Sequence, residues 1–259
     1  MKKISIVTIS YNEEKSIEKT ILSCINQTYK NKEYIVIDGG SKDGTIGIVG
    51  NYKKNIDVFV SEPDKGLYDA MNKGIRNAQG DYIIFVNSGD CLYDLNTLSS
   101  IFAEVENTNT EPDFIYGDAI VKQFESDKLH HKKARHHKFA WYGMFTNHQA
   151  MIYSLDVIKR NNLLFDQTKY PISADYKFTL EFLTMTNNLK YIEQWLCVFD
   201  LNGVSTVNKN QGLKEASNIR KEVLKYSDAK IWLIEKLIKS SHFLSNNFKT
   251  VYELIRFQS

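Results

Sequence analysis

Cysteine is scarce in this chain. Cys24, Cys91 and Cys197 are its only three and lie far apart, which argues against a disulfide framework or a closed zinc site and fits reduced thiols. Proline is as rare, at three residues, and no Gly/Ser tract marks a linker. No apolar run approaches the roughly 18 residues that a membrane span requires. No charge sign dominates: 33 Lys and Arg face 31 Asp and Glu, a balance of +2 that does not call for nucleic acid. No apolar segment with a cleavage site follows Lys2 and Lys3, so a cytoplasmic chain is expected. After the first strand-like run stands Ser10-Tyr11-Asn12-Glu13 rather than Gly-x-Gly-x-x-Gly, which excludes a dinucleotide oxidoreductase. Gly-Lys-Ser/Thr is also missing, and with it the P-loop enzymes. No internal repeat is found.

What is present is ample for a core, with 259 residues of which 42% are hydrophobic. The first half alternates strand and helix signals. Ile4 to Ile9, Tyr34 to Ile37, Val58 to Val60 and Tyr82 to Val86 are short β-rich runs. Between them Ile17, Ile21 and Ile25 recur at helical spacing, Asp43 starts a second helix, and Tyr68 to Ala78 reads as a third. Asn12 is placed to cap the first helix. Apolar strands alternating with helices predict an α/β fold, its mostly parallel sheet covered on both faces.

Polar residues then follow each strand: Thr8 to Asn12, Asp38 to Ser41, Glu62 to Asp64 and Asn87 to Asp90. One such cluster would be turn punctuation. Four at successive carboxyl ends outline a ligand crevice.

Four segments make the pattern specific. They are Ser5-Ile6-Val7-Thr8-Ile9-Ser10-Tyr11-Asn12, Val36 to Thr45 with Asp38-Gly39-Gly40-Ser41, Ser61 to Gly74, and Gly80-Asp81 leading to Asn87-Ser88-Gly89-Asp90. In order and spacing they resemble the donor-binding half of family 2 glycosyltransferases with the GT-A fold. Asn147-His148-Gln149-Ala150, Ser173-Ala174-Asp175-Tyr176 and Gly203-Val204-Ser205-Thr206 extend the likeness to about Thr206. The set is most similar to bacterial surface-polysaccharide transferases of the colanic-acid WcaE-like type, which make O-antigen or capsule. The resemblance implies a GT-A catalytic domain over 1–206, with a nucleotide-binding half at 1–93 and an acceptor half at 94–206, and a helical extension at 207–259. It also implies an inverting, metal-dependent hexosyltransferase that uses a UDP-sugar, or alternatively a GDP-sugar.

The implied roles follow that register. Asp38 accepts an N–H from the base; Thr8, Tyr11 and Glu13 line base and ribose; Asp64, Lys65, Asn87 and Ser88 contact the nucleotide. Asp90 holds Mn2+ or Mg2+, because a hard cation on carboxylate oxygen neutralises the departing diphosphate. Asn87 and Gly89 stand where acidic residues often occur, so the diphosphate would complete the metal's shell. Inversion needs one general base, and Asp175 matches it. Ala174 replaces the commoner Glu, and a helix-start Asp is also what a plain cap looks like. His148 and Gln149 line the acceptor or sugar; Tyr68 and Asn72 do so too, or simply pack. Ser205 and Thr206 belong to a loop closing over the diphosphate.

The basic stretch from Lys128 to Lys138 lacks zinc spacing and reads as a solvated loop near phosphates. From Lys230 onward an apolar stripe with interspersed lysines forms a terminal helix or helix pair. It either packs on the catalytic domain or meets an anionic membrane carrying a lipid-linked glycan acceptor, at the cytoplasmic face of an inner membrane. Two other functions stay open: a nucleotide-sugar-binding module with weak catalysis, and a nucleotidyltransferase, though the latter's Gly-rich basic loop is missing.

Overall fold

The computed structural model describes residues 1–108, 110–122, 129–200 and 209–247. Strands β1 (Ile4–Ser10), β2 (Lys32–Asp38), β3 (Val58–Ser61) and β4 (Tyr82–Phe85) form a parallel block in the order β3-β2-β1-β4. Helices α1 (Ile17–Ile25), α2 (Thr45–Asn51) and α3 (Leu67–Asn77) connect them. A crossover helix per parallel pair is what parallel pairing requires. Gly74 lets α3 settle on β1, since a Cβ there would come 2.5 Å from Val7 Cγ1.

Beyond β4 the sheet becomes mixed. Strand β5 (Cys91–Leu92), helix α4 (Thr97–Glu106) and strands β6 (Phe114–Lys122), β7 (Leu129–Lys132) and β8 (Met151–Ser154) lead to α5 (Leu155–Arg160), α6 (Ala174–Met185) and β9 (Leu189–Asp200). The sheet continues β4-β8-β6-β9-β5, with β8 antiparallel to both neighbours and β7 paired to β6. Two helices close the described chain, α7 (Lys209–Leu224) and α8 (Asp228–Asn247).

Each sheet face carries a core. Val7, Ile9, Ile35, Ile37 and Phe85 pack under α3, α5, α6 and Ile219 of α7. Ile4, Ile6, Tyr34, Val36 and Ile84 pack under α1 and α4. At about 25 cal/mol per Å² this two-sided burial is the main stabilising term. The parallel block therefore holds the ends of β1, β2 and β4 side by side at one crevice.

Candidate active site

The crevice's nucleotide side is built from loops that tie one another down. Asn12 sits at φ 54° and its Oδ1 accepts from Lys42 N–H at 2.8 Å, while its own N–H donates to Ser41 Oγ. The expectation that Asn12 caps α1 is corrected: the helix starts at Ile17 behind Ser16, whose hydroxyl bonds the Glu13 carboxylate. Asp38 is fully buried. Its Oδ2 accepts from the Gly40 and Ser41 N–H groups, each at 3.0 Å, and from Ser61 Oγ at 2.7 Å; its Oδ1 accepts the Ser41 hydroxyl. In this structure it organises the loop, and it presents no open edge to a base. Gly39 lies flat under Asp64, whose carboxylate a Cβ would strike, with the Tyr11 ring 3.3 Å from the same point. Asp64 Oδ1 accepts from Gly66 N–H at 2.8 Å, and Tyr11 is 60% exposed, so Tyr11, Gly39 and Asp64 form one open ledge. Lys65 stands exposed beside it, its carbonyl gripped by the Gln167 amide.

Thr8 is a correction. It is 0% exposed and its hydroxyl accepts from Tyr34 at 3.0 Å, so the side chain belongs to the core and does not line a pocket. A β-strand residue two positions from its end, on the face that packs α1, is under the sheet rather than at its rim.

The β4–β5 turn carries the acidic end of the site. Ser88 N–H donates to Ile9 O at 3.0 Å, Gly89 adopts φ 94°, and Thr20 Oγ1 bridges Gly89 N–H and Asp90 O at 3.0 and 2.7 Å. Asp90 is largely buried, and its Oδ2 accepts from Gln149 Nε2 at 2.6 Å. The predicted metal residue and the predicted acceptor residue are thus brought together across 59 positions. Among the described residues no group of three His, Cys, Asp or Glu could hold a metal by itself. A single hard oxygen donor fits a cation that arrives bound to a diphosphate, and does not fit one resident in the protein. Ser10 Oγ, Asn87 Oδ1 and Ser88 Oγ are buried at these strand ends without a partner among the described residues, as suits atoms that meet a polar ligand.

Across the crevice, Asp175 occupies the first turn of α6. Tyr68 Oη, reaching over from α3, donates to its Oδ1 at 3.2 Å and to Ile172 O at 3.0 Å. Burial pushes the Asp175 carboxyl above the usual aspartate range, against the Tyr176 N–H and Tyr68 hydroxyl that favour the charged form. Tyr68 is itself held by stacking on Phe165, with ring centroids 5.6 Å apart. Tyr68 therefore meets Asp175, and its proton is held well beyond the ordinary tyrosine range by burial.

For Asn72 the structure favours the packing alternative. Its Nδ2 donates to Phe165 O and its Oδ1 accepts from Phe165 N–H, both at 2.9 Å. Both functions are consumed in fixing that backbone, so Asn72 packs and does not face a sugar. His148 is buried between Phe85, stacked at 5.3 Å, and Phe165, edge-on at 5.9 Å; neither ring nitrogen has a partner among the described residues. Burial pulls its pKa down to about 4, so the ring is neutral at working pH. Ser205 and Thr206 lie outside the described residues.

In the basic stretch His130, His131, Lys133, His136 and Lys138 are exposed, as a solvated loop requires, and several of its side chains are nonetheless tied down. Lys132 donates to Asn147 Oδ1, Lys133 pairs with Glu193, and Arg135 donates to Met144 O. His131 packs edge-on to Trp195. Sequence reasoning missed three residues that shape the site, all reaching it from afar: Gln167, Glu215 and Arg220. Glu215 Oε2 accepts from Ile172 and Ser173 N–H at 3.0 and 2.8 Å. Arg220, 2% exposed, donates to Trp141 O and Tyr142 O at 2.8 Å and lies 5.5 Å over the Tyr176 ring. No motif marks them, because each bonds backbone rather than a side-chain partner of fixed type.

Comparison with known proteins bears on the family and the fold. A family model described as glycosyl transferase family 2 matches residues 5–167. An uncharacterized glycosyltransferase of Mycobacterium tuberculosis is 41% identical over 88 residues, which is 34% of this chain and 34% of its own. A PGL/p-HBAD biosynthesis glycosyltransferase of Mycobacterium bovis is 29% identical over 154 residues, 54% of this chain and 60% of that one. The chain thus spans about a third of the length of the first curated relatives it matches. Among solved structures, S. aureus TarS 1–349 in complex with UDP superposes with a TM-score of 0.68 at 20% identity, covering 95% of this chain and 73% of that one. The mannosyltransferase PcManGT from Pyrobaculum calidifontis, in complex with GDP-Man and Mn2+, gives 0.65 at 14% identity, covering 88% and 65%. The mixed, mostly parallel sheet flanked by helices is a GT-A fold.

Proposed function

The chain belongs to glycosyl transferase family 2, and from that premise we propose that it transfers one sugar, with inversion, from a nucleotide-sugar to an acceptor hydroxyl. One observation carries the reading: Asp175, a half-buried carboxylate of raised proton affinity, is held by Tyr68 at the same crevice as the strand-end loops. The acceptor oxygen attacks the anomeric carbon as its proton passes to the Asp175 carboxylate. The bond from that carbon to the diphosphate oxygen breaks, and its electron pair leaves with the nucleoside diphosphate. Tyr11 and Asp64 bind the nucleotide on the open ledge, with Lys65, Glu13, Asn87 and Ser88 around it, and Asp38 holds the loop beneath. Asp90, with Gln149 fixing its orientation, would hold a Mn2+ or Mg2+ brought by the diphosphate; that cation supplies charge neutralisation to the leaving group.

A UDP-sugar is the favoured donor and a GDP-sugar the alternative; the neighbours with UDP and with GDP-Man support both classes. The acceptor is a glycan, lipid-linked, in bacterial surface-polysaccharide synthesis of the WcaE-like type. Exposed Trp232, Leu233 and Leu237 beside Lys236 and Lys239 on α8 support a peripheral contact with an anionic cytoplasmic membrane face. No helix among the described residues is long and apolar enough to cross a membrane. A binding module of weak catalysis is the second reading, favoured by Asn87, Gly89 and Ala174 where carboxylates are usual.

The test is the melting temperature of the protein with UDP, GDP, CDP and dTDP, each with manganese and with EDTA. A ligand that binds only the folded state raises it by mass action. The expected outcome is a manganese-dependent rise with UDP. No rise with any nucleotide, in a folded sample, sinks the donor site.

A further inference from the structure

Helix α7 presents an unusual inward face. Glu215, Ser217 and Arg220 are all buried beside Ile219, and none of the three is spent on a neighbour within α7 alone. Glu215 receives the two consecutive N–H groups of Ile172 and Ser173, the turn that delivers the chain into α6. Ser173 is the residue before the first turn of α6 and makes no side-chain cap of its own, so a carboxylate 42 positions away organises this turn. Gln211 Nε2 holds the other oxygen at 2.9 Å, which fixes the carboxylate's orientation. Two residues beyond Ser173 stands Asp175, and Tyr68 bonds both Asp175 and the Ile172 carbonyl.

We propose that Glu215 is a positioning residue for the general base: its carboxylate sets the turn that aims Asp175. The proposal rests on the reading of Asp175 as the base. It is carried by the paired backbone bonds that Glu215 accepts from Ile172 and Ser173. The Glu215 charge also acts on Asp175 in the direction of proton uptake, as the least of the influences there, behind burial and the Tyr176 and Tyr68 donors. The charged and titratable groups facing this pair are few. Tyr68 comes from α3; Arg220, one turn along α7, is directed at Tyr176 and the carbonyls of Trp141 and Tyr142. Glu222 is neutralised by Lys169 and Lys177, and Glu235 of α8 is engaged by Ser217.

Two substitutions separate the hydrogen bonds from the charge. Glu215→Gln keeps an oxygen for the two N–H groups and removes the charge; Glu215→Ala removes both. In the substrate-free protein, the Asp175 carboxyl carbon is followed by NMR against pH, assigned by its loss in Asp175→Asn. Removing a nearby negative charge makes the anionic form easier to reach, so Glu215→Gln is expected to titrate Asp175 at lower pH than the wild type. Glu215→Ala is expected to speed hydrogen exchange at Ile172 and Ser173 and to cut UDP-sugar turnover by about tenfold or more, part of the roughly 10²–10⁴-fold a positioned base supplies, with UDP affinity retained. An unchanged Asp175 titration in Glu215→Gln overturns that electrostatic contribution. Wild-type exchange and turnover in Glu215→Ala overturns the proposal, and if that variant does not fold, exchange at the two amides in Glu215→Gln decides, since slow exchange there must persist. Full turnover in Asp175→Asn instead strikes the base assignment and leaves the titration result standing.

Discussion

The two halves of the crevice solve one problem differently. On the nucleotide side, polar side chains satisfy loops close to them: Asp38 serves Gly40 and Ser41, Asp43 serves Thr45, and Asp64 serves Gly66. On the acceptor side the same work is done at long range. Tyr68 reaches Asp175 across 107 positions, Asn72 clamps Phe165 across 93, and Arg220 holds Trp141 across 79. Local closure yields loops shaped before any ligand arrives. Long-range closure makes the base depend on packing between elements, so it should be the half that fails first when packing is disturbed.

The contrast can be broken most forcefully at the base itself. Asp175→Asn is expected to lower transfer by about 10²–10⁴-fold while UDP binding survives, measured as turnover against calorimetric affinity. Arg220→Met comes next: it leaves the carbonyls of Trp141 and Tyr142 without their donor, for a stability loss of about 1–3 kcal/mol read by denaturant unfolding. If the nucleotide side is the locally closed one, UDP affinity of that variant in the folded state stays near wild type. Gly39→Ala attacks the other half by pushing the Asp64 carboxylate off the ledge. A roughly tenfold weaker UDP Kd, or about 1.4 kcal/mol, with Asp175 titrating as before is the expected result. The smallest effect belongs to Tyr68→Phe. The free enzyme needs Asp175 ionised, so kcat/KM falls as pH drops through a carboxyl pKa already raised by burial. Loss of the Tyr68 donor raises it further, and the acid limb moves to higher pH.

The same contrast explains what was legible beforehand. The four parallel strands stood out because each is a short apolar run with polar residues at its end, and β1 is buried along its whole length. The crevice followed from those ends. Thr8 was misplaced because spacing gives a residue's neighbours in sequence and not the face its side chain takes: it lies under the sheet, while Asn72, open between sugar contact and packing, clamps the Phe165 backbone from α3. Strands β8 and β9 were not expected, since Trp141 to Tyr153 mixes aromatic and polar residues and β6 meets β9 only after a long excursion. Helix α7 left no apolar stripe to read, because its inward face is Glu215, Ser217 and Arg220 as much as Ile219.

That inward face has a consequence for the order in which the molecule comes into being. Chains emerge N-terminus first, at about 5–20 residues per second, and fold behind the ribosome. Residues 4–85 already contain the whole parallel block, so the nucleotide ledge can assemble while the rest is still being made. The turn before Asp175 cannot be completed until Glu215 has followed it out, some forty residues later. Nascent chains stalled at increasing length would therefore acquire UDP binding well before turnover, and the chemistry would be the last property to mature.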